Sequence, residues 1–155
     1  MIDTISMYGR GIMQSEFDLI RSHPDKGADL AGRHISTEAY VDVIRGHHRW
    51  YDGSRGYPGN FDISKSPYKT IIDIVSVADC LDAATDGVGR SYRPGKTIDD
   101  FQKELAEGAG TRYAPYMTGL FSEPAIRDDM VYLLEKGREE LYKDTYFLLK
   151  DLLKK

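Results

Sequence analysis

The sequence predicts an all-α protein with no sheet. Three observations point there. From Pro67 to about Asp86 apolar residues dominate: Ile71, Ile72, Ile74, Val75, Val77, Ala78, Leu81, Ala83 and Ala84. From Pro124 to the end, Ile126, Met130, Leu133, Leu134, Leu141, Leu148, Leu149 and Leu152 form an apolar stripe at helical spacing. Shorter segments between and before these two carry serine, threonine and proline where helices start and stop.

Residues 1–14 have no clear period, and Gly9 and Gly11 make them loop-like. A helix starts at Ser15, a suitable N-cap, with Phe17 and Ile20 facing inward. It ends near His23, because Pro24 disfavours helix at the residue before it and suits the first turn of the next. That second helix runs from Asp25 to Arg33. A third spans Thr37 to Gly46, capped by Ser36 or Thr37, with Tyr40, Val41, Val43 and Ile44 on its apolar side. It delivers the pair His47-His48. Residues 49–66 form a long loop, a length that tends to be functional in compact domains. After the apolar helix, Thr97 caps a helix through Ala106, Gly108 to Thr111 break it, and Pro115 begins another. The stretch from Pro124 is one long helix with a bend at Gly137.

Composition narrows the function. The 155 residues suit one domain. Lys and Arg number 21 against 25 Asp and Glu, a net charge of −4, and no basic block suggests a nucleic-acid duplex as partner. A small anionic ligand needs only a local cluster of cations. Cys80 is the only cysteine, which rules out intramolecular disulfides and cysteine-based zinc sites. No signal peptide and no apolar run of about 18 residues is found, so a cytoplasmic protein without a membrane segment is expected.

The candidate chemistry centres on His47-His48-Arg49-Trp50-Tyr51-Asp52-Gly53-Ser54-Arg55-Gly56-Tyr57-Pro58. Adjacent helical residues point about 100° apart, but at a helix end the backbone can turn and aim both imidazoles into one cavity. Neutral imidazole is a common ligand for transition metals, and carboxylates complete such shells. Histidines in loops also serve as surface or capping residues, and His23, near a helix C-terminus, suits a dipole interaction as well as a ligand role. Asp79 lies four residues after Val75 and seven after Ile72. A carboxylate on their face needs a partner or a metal, because burying it alone costs several kcal/mol.

These stretches resemble the HD-GYP family of bacterial phosphodiesterases. His47, His48, Asp52, Gly53, Gly56, Tyr57 and Pro58 fall on its His-His-Glu-x-x-Asp-Gly…Gly-Tyr-Pro pattern. Arg49 stands where Glu is usual, and Arg55 looks like an insertion. His23-Pro24-Asp25-Lys26-Gly27 matches its His-x-x-x-Gly. Ala78-Asp79-Cys80-Leu81-Asp82-Ala83-Ala84-Thr85 resembles its Ala-Asp-x-x-Asp-Ala-Leu-Thr, and Arg90-Ser91-Tyr92-Arg93 its Arg-x-Tyr-Arg/Lys. Three of the four histidines therefore sit on positions the family uses for metal. The Gly110 to Pro115 region is similar to the family's Gly-x-x-Phe-Asp-Pro, with Tyr113 for Phe and Ala114 where Asp is usual.

The resemblance implies an all-α domain of the HD superfamily over residues 1–122, with a C-terminal helix (123–155) packing on it or on a partner. It implies metal-dependent hydrolysis of cyclic di-GMP. His23, His47, His48 and Asp79 would be metal ligands, Arg90 and Arg93 phosphate contacts, and Asp52, Gly56, Tyr57 and Pro58 the loop motif. The metal would be iron or manganese rather than zinc. Partners would be the cyclic dinucleotide and a cyclase domain or a second copy. The family's His-Asp dyad has no counterpart, since no His-Asp pair occurs in the sequence, so the catalytic residues stay unassigned. The stretch that carries it would fall just before Met1. The chain is thus expected to be a fragment, weak or inactive alone. The alternative is a non-catalytic signalling or protein-interaction module of the same type.

Overall fold

The computed structural model describes residues 10–87 and 94–153. It is all-α, as the apolar periodicity predicts. The helices are α1 (Gln14–Arg21), α2 (His23–Ala31), α3 (Val41–Gly46), α4 (Lys69–Thr85), α5 (Ile98–Glu107), α6 (Pro115–Ser122), α7 (Pro124–Tyr132) and α8 (Arg138–Leu152). Short 3-10 turns at Glu38–Tyr40 and Ile63–Lys65 precede α3 and α4. The chain divides into two units, 1–118 and 119–155. No helix among the described residues is long and apolar enough to cross a membrane.

Helix boundaries follow local chemistry. The first helix begins one residue before Ser15. The Glu16 carboxylate accepts the Met13 N–H at 2.8 Å and pairs with Arg10, so the cap is supplied from the third helical position rather than by serine. Arg10, then the Met13 N–H, hold the Glu16 carboxyl down at about 2. Ser22 alone separates α1 from α2, whose first turn contains His23 and Pro24. Before α3, the predicted capping residue Thr37 does not cap. Its hydroxyl donates to the Ala31 carbonyl at 2.6 Å, tying the connection back to the end of α2. Residues 38–40 form the 3-10 turn, and Tyr40 is exposed rather than on an apolar face. Thr97 does cap α5, its hydroxyl oxygen accepting the Asp100 N–H at 3.1 Å.

The core of the first unit lies between α3, α4 and the Ile63 turn. Val43, Ile63 and Ile72 are buried together, with Phe61, Tyr68 and Val75 packed against them. Helix α2 lies directly on α3, and Gly27 permits it: a Cβ there would stand 2.9 Å from Ile44 Cγ2. A second layer comes from α5, where Phe101 and Leu105 are buried and the Phe101 ring meets Tyr113 edge-on at 6.2 Å.

Two polar clusters are built into this packing. Asp73, only 5% exposed, accepts from Lys69 Nζ at 2.5 Å and from the Tyr116 hydroxyl at 3.1 Å. Burial and the Asp73 charge push the Tyr116 hydroxyl up to about 12, so it stays a donor. Glu104 receives Lys96 and Arg112, each at 2.6 Å, and the Tyr113 hydroxyl at 2.9 Å. Burial works to raise the Glu104 carboxyl, but these three donors outweigh it and hold the group below its ordinary 4.5.

In the second unit, α7 passes through a π turn at Leu133–Gly137 into α8, with Gly137 at its end. Within that unit, Leu141, Leu148, Leu149 and Leu152 remain exposed.

Two expectations follow. Lys69→Met leaves the Asp73 carboxylate buried with a single hydroxyl donor, and should lower stability by about 3 kcal/mol in urea unfolding at pH 7. Glu104→Gln should cost about 2 kcal/mol at pH 7. Because the folded-state pKa of Glu104 is depressed, its contribution is full above 4.5 and is lost as pH falls through the folded value. The gap between variant and parent should therefore narrow progressively as the same titration is repeated at pH values falling below 4.5.

Candidate metal centre

The site is assembled by two helix ends. His23 opens α2, His47 follows the last residue of α3, and His48 follows it. The ring atoms these three histidines would offer a metal all lie within 4.8 Å of one another. The α2–α3 contact at Gly27 and Ile44 sets the separation of the first two. The chain turns out of helical register after Gly46, which lets adjacent His47 and His48 converge, with ring centroids 4.1 Å apart.

Two of the rings are oriented by backbone carbonyls three residues earlier, His23 by the last turn of α1 and His47 by α3. His23 Nδ1 lies 2.7 Å from the Ile20 carbonyl, and His47 Nδ1 lies 2.7 Å from the Ile44 carbonyl. A carbonyl only accepts, so each Nδ1 carries the proton and each neutral ring keeps its lone pair on Nε2. Those two Nε2 atoms face each other at 3.1 Å. A direct Nε2–H···Nε2 bond would need one ring to be a doubly protonated imidazolium. Burial holds the His47 imidazole below its ordinary 6.5; the Ile44 bond and the Asp79 charge oppose this, and His23 adds to it. With both rings neutral, the two facing lone pairs repel each other, and a cation between them removes the repulsion. Two nitrogens each about 2.1 Å from one metal, at 90–109°, stand roughly 3.0–3.4 Å apart. The donor set fits a divalent transition metal, and the carbonyl contacts are the outer hydrogen bonds that orient metal-binding histidines.

Asp79, on α4, stands at the edge of this group. Its Oδ2 is 3.7 Å from His48 Nδ1, too long for a direct hydrogen bond. The donor atoms that converge within 4.8 Å of one another come from the three histidines and do not include Asp79. Asp79 is about a third exposed. The fully enclosed carboxylate of α4 is Asp73, six residues earlier and away from the histidines.

Tyr57 forms one wall. Its ring lies over His48 at 4.5 Å with a 32° tilt, and meets His23 edge-on at 6.3 Å. The loop that carries it is held by backbone bonds. Arg49 and Gly56 form an antiparallel bridge; Trp50 N–H donates to the Arg55 carbonyl at 3.1 Å and Tyr57 N–H to the His48 carbonyl at 3.2 Å. The Arg49 guanidinium donates to the Gly56 carbonyl at 3.2 Å and also to that of Gly53. Gly56 has φ +88°, and a Cβ there would lie 2.1 Å from the His48 carbonyl oxygen. The Tyr57-Pro58 peptide is cis. Tyr51 and Asp52 N–H groups donate to the Arg112 and Thr111 carbonyls, both at 3.1 Å, which braces the loop against the turn before α6.

The structure thus brings His23, His47, His48 and Tyr57 together, with Asp79 beside them. Asp52 is elsewhere: it is exposed, and its carboxylate closes a local turn by accepting the Ser54 N–H and hydroxyl at 2.9 and 2.7 Å. Arg90 and Arg93 lie outside the described residues. The clamping role of Arg49 had no sequence signal, because its partners are backbone carbonyls that only the folded loop presents. Arg55, out of step with the family pattern, packs its guanidinium on Trp50, 5.2 Å from the ring centre.

No family model matches the chain, and neither does any curated protein or solved structure.

Gly56→Ala should break the Arg49–Gly56 pairing and release Tyr57 from His48. The expected cost is about 2 kcal/mol or more, read as a lowered urea midpoint together with a changed near-ultraviolet tyrosine signal.

Proposed function

We propose that the chain is a metal-dependent phosphodiesterase of the HD-GYP type, with His23, His47 and His48 as metal ligands, Asp79 completing the set, and cyclic di-GMP as substrate. The observation that carries the metal part is the convergence of three imidazoles with two Nε2 atoms facing at 3.1 Å. Iron or manganese is the preferred ion. The substrate and the family rest on the motif resemblance at His23 to Gly27, His47 to Pro58 and Asp79 to Arg93.

A divalent cation there supplies Lewis acidity toward a phosphoryl oxygen and toward water. The residues of the chain do the rest. The Ile20 and Ile44 carbonyls fix two rings in the coordinating tautomer. Tyr57 covers the outer face of His48 and keeps water from that side. Asp79 offsets positive charge next to His48. In this reading Arg90 and Arg93 hold the phosphate.

A second reading is favoured by one specific observation: the sequence holds no His-Asp pair. The chain would then be a non-catalytic signalling or protein-interaction module, binding a cyclase domain or a second copy. Both readings predict weak or no hydrolysis by this polypeptide alone, but they differ on metal.

Elemental analysis after anaerobic loading with iron or manganese separates them. The expected result is at least one tightly held ion per chain, with affinity falling at least about 100-fold in His47→Ala, since the loss of even an outer hydrogen bond to a metal ligand costs 10–100-fold. An ion-free protein that still binds a partner in a His47-dependent way would favour the module.

A further inference from the structure

The histidine group is lined by imidazole rings and one carboxylate, yet its proposed substrate is an anion. The described residues contain a cation placed to meet it. Arg21 is the last residue of α1, separated from His23 by Ser22 alone. Its guanidinium carbon stands 4.6 Å from the Phe17 ring centre, one turn back on the same helix, and 5.9 Å from the ring centre of Tyr57. Tyr57 in turn lies against His48 and His23. The aromatic pair orients the guanidinium by cation–π contact, at the rim of the site.

The other cations around the site have protein acceptors or different positions. Arg49 bonds the Gly53 and Gly56 carbonyls. Arg45 pairs with Asp25 and Asp29, Lys69 with Asp73, and Arg112 with Glu104. Arg21 is exposed, and among the described residues its guanidinium meets two rings and no carboxylate or carbonyl. Aromatic contacts engage the face of a guanidinium and leave its N–H edge available. That edge matches two oxygens of a phosphoryl group in a forked geometry, which an ammonium cannot reproduce.

We infer that Arg21 is a substrate-binding residue of the histidine site, taking a phosphoryl oxyanion at the Tyr57 side. This rests on the metal-site reading above, and it adds a phosphate contact from the first helix to those the resemblance implies at Arg90 and Arg93. The exposed side chain can turn from Phe17 toward the histidines while Tyr57 keeps it at the rim. Arginine here serves binding and not the chemistry of bond cleavage. A phosphate mono- or diester offers the paired oxygens that the forked guanidinium edge matches.

The test uses the full chain loaded with manganese, with inorganic phosphate as the probe in isothermal titration. Metal content is measured on every sample. Arg21→Met should keep its metal and bind phosphate at least tenfold more weakly, and Arg21→Lys should recover part of the loss. Lys103→Met removes the same charge from an exposed position on α5, and should leave phosphate affinity within twofold of the parent. Metal retained with phosphate affinity unchanged in Arg21→Met overturns the Arg21 assignment alone. An equal loss in Lys103→Met also overturns it, because the effect would then be net charge. A parent chain that holds no metal overturns the metal-site reading, and this inference with it.

Discussion

The Nε2 atoms of His23 and His47 stand 3.1 Å apart because α2 and α3 touch where residue 27 has no side chain. The rest of the site depends on that contact. A larger residue at position 27 would push the helices apart by more than the tolerance of a coordination shell, which is a few tenths of an ångström. Each ring is also locked to a carbonyl three residues back, His47 within its own helix and His23 across the junction from α1 to α2. The site is an extension of helix packing rather than a feature of a loose loop, and it is oriented before any ligand arrives.

The loop from 49 to 58 adds a wall to this arrangement and is itself rigidly held. Arg49 takes the carbonyls of Gly53 and Gly56, and the Tyr51 and Asp52 N–H groups reach the turn at 111–112. Arg112 in that turn belongs to the Glu104 cluster and also donates to Cys80 Sγ at 3.4 Å on α4. A chain of polar contacts therefore runs from α5 and α4 through the turn to Tyr57 and His48. Arg49, Arg112 and Cys80 in it are partly buried, where hydrogen bonds to charged groups are stronger and unpaired groups are costly. The Gly56-Tyr57 segment can stand beside the histidines because it is anchored on both flanks.

The carboxylates of α4 show how far a pattern argument reaches. Periodicity placed Asp79 with Ile72 and Val75 and required it to have a partner. It does stand beside His48, yet it is about a third exposed. The deeply buried carboxylate is Asp73, with Lys69 and Tyr116. Helix α4 is apolar on most sides, and Ile71 and Ile74 are nearly half exposed. When apolar residues surround a helix, spacing does not say which side the neighbours cover. Tyr116 arrives from a helix 43 positions away in sequence, and nothing local announces it.

By itself the sequence determined the helical class, the Thr97 cap, the presence of a helix junction next to Pro24 and the break after Gly46, because these follow from short-range backbone sterics and capping chemistry. It also marked His23, His47 and His48 as a set, through a resemblance in motif. Only the tertiary structure decided that their nitrogens converge, that Asp52 serves its own turn, and that Arg49 clamps a loop. It alone brought Arg21 beside Tyr57. Those outcomes depend on contacts between residues distant along the chain, or on carbonyls that have no side-chain signature. Distances of that kind are set by how helices pack, and packing is decided by the whole core at once.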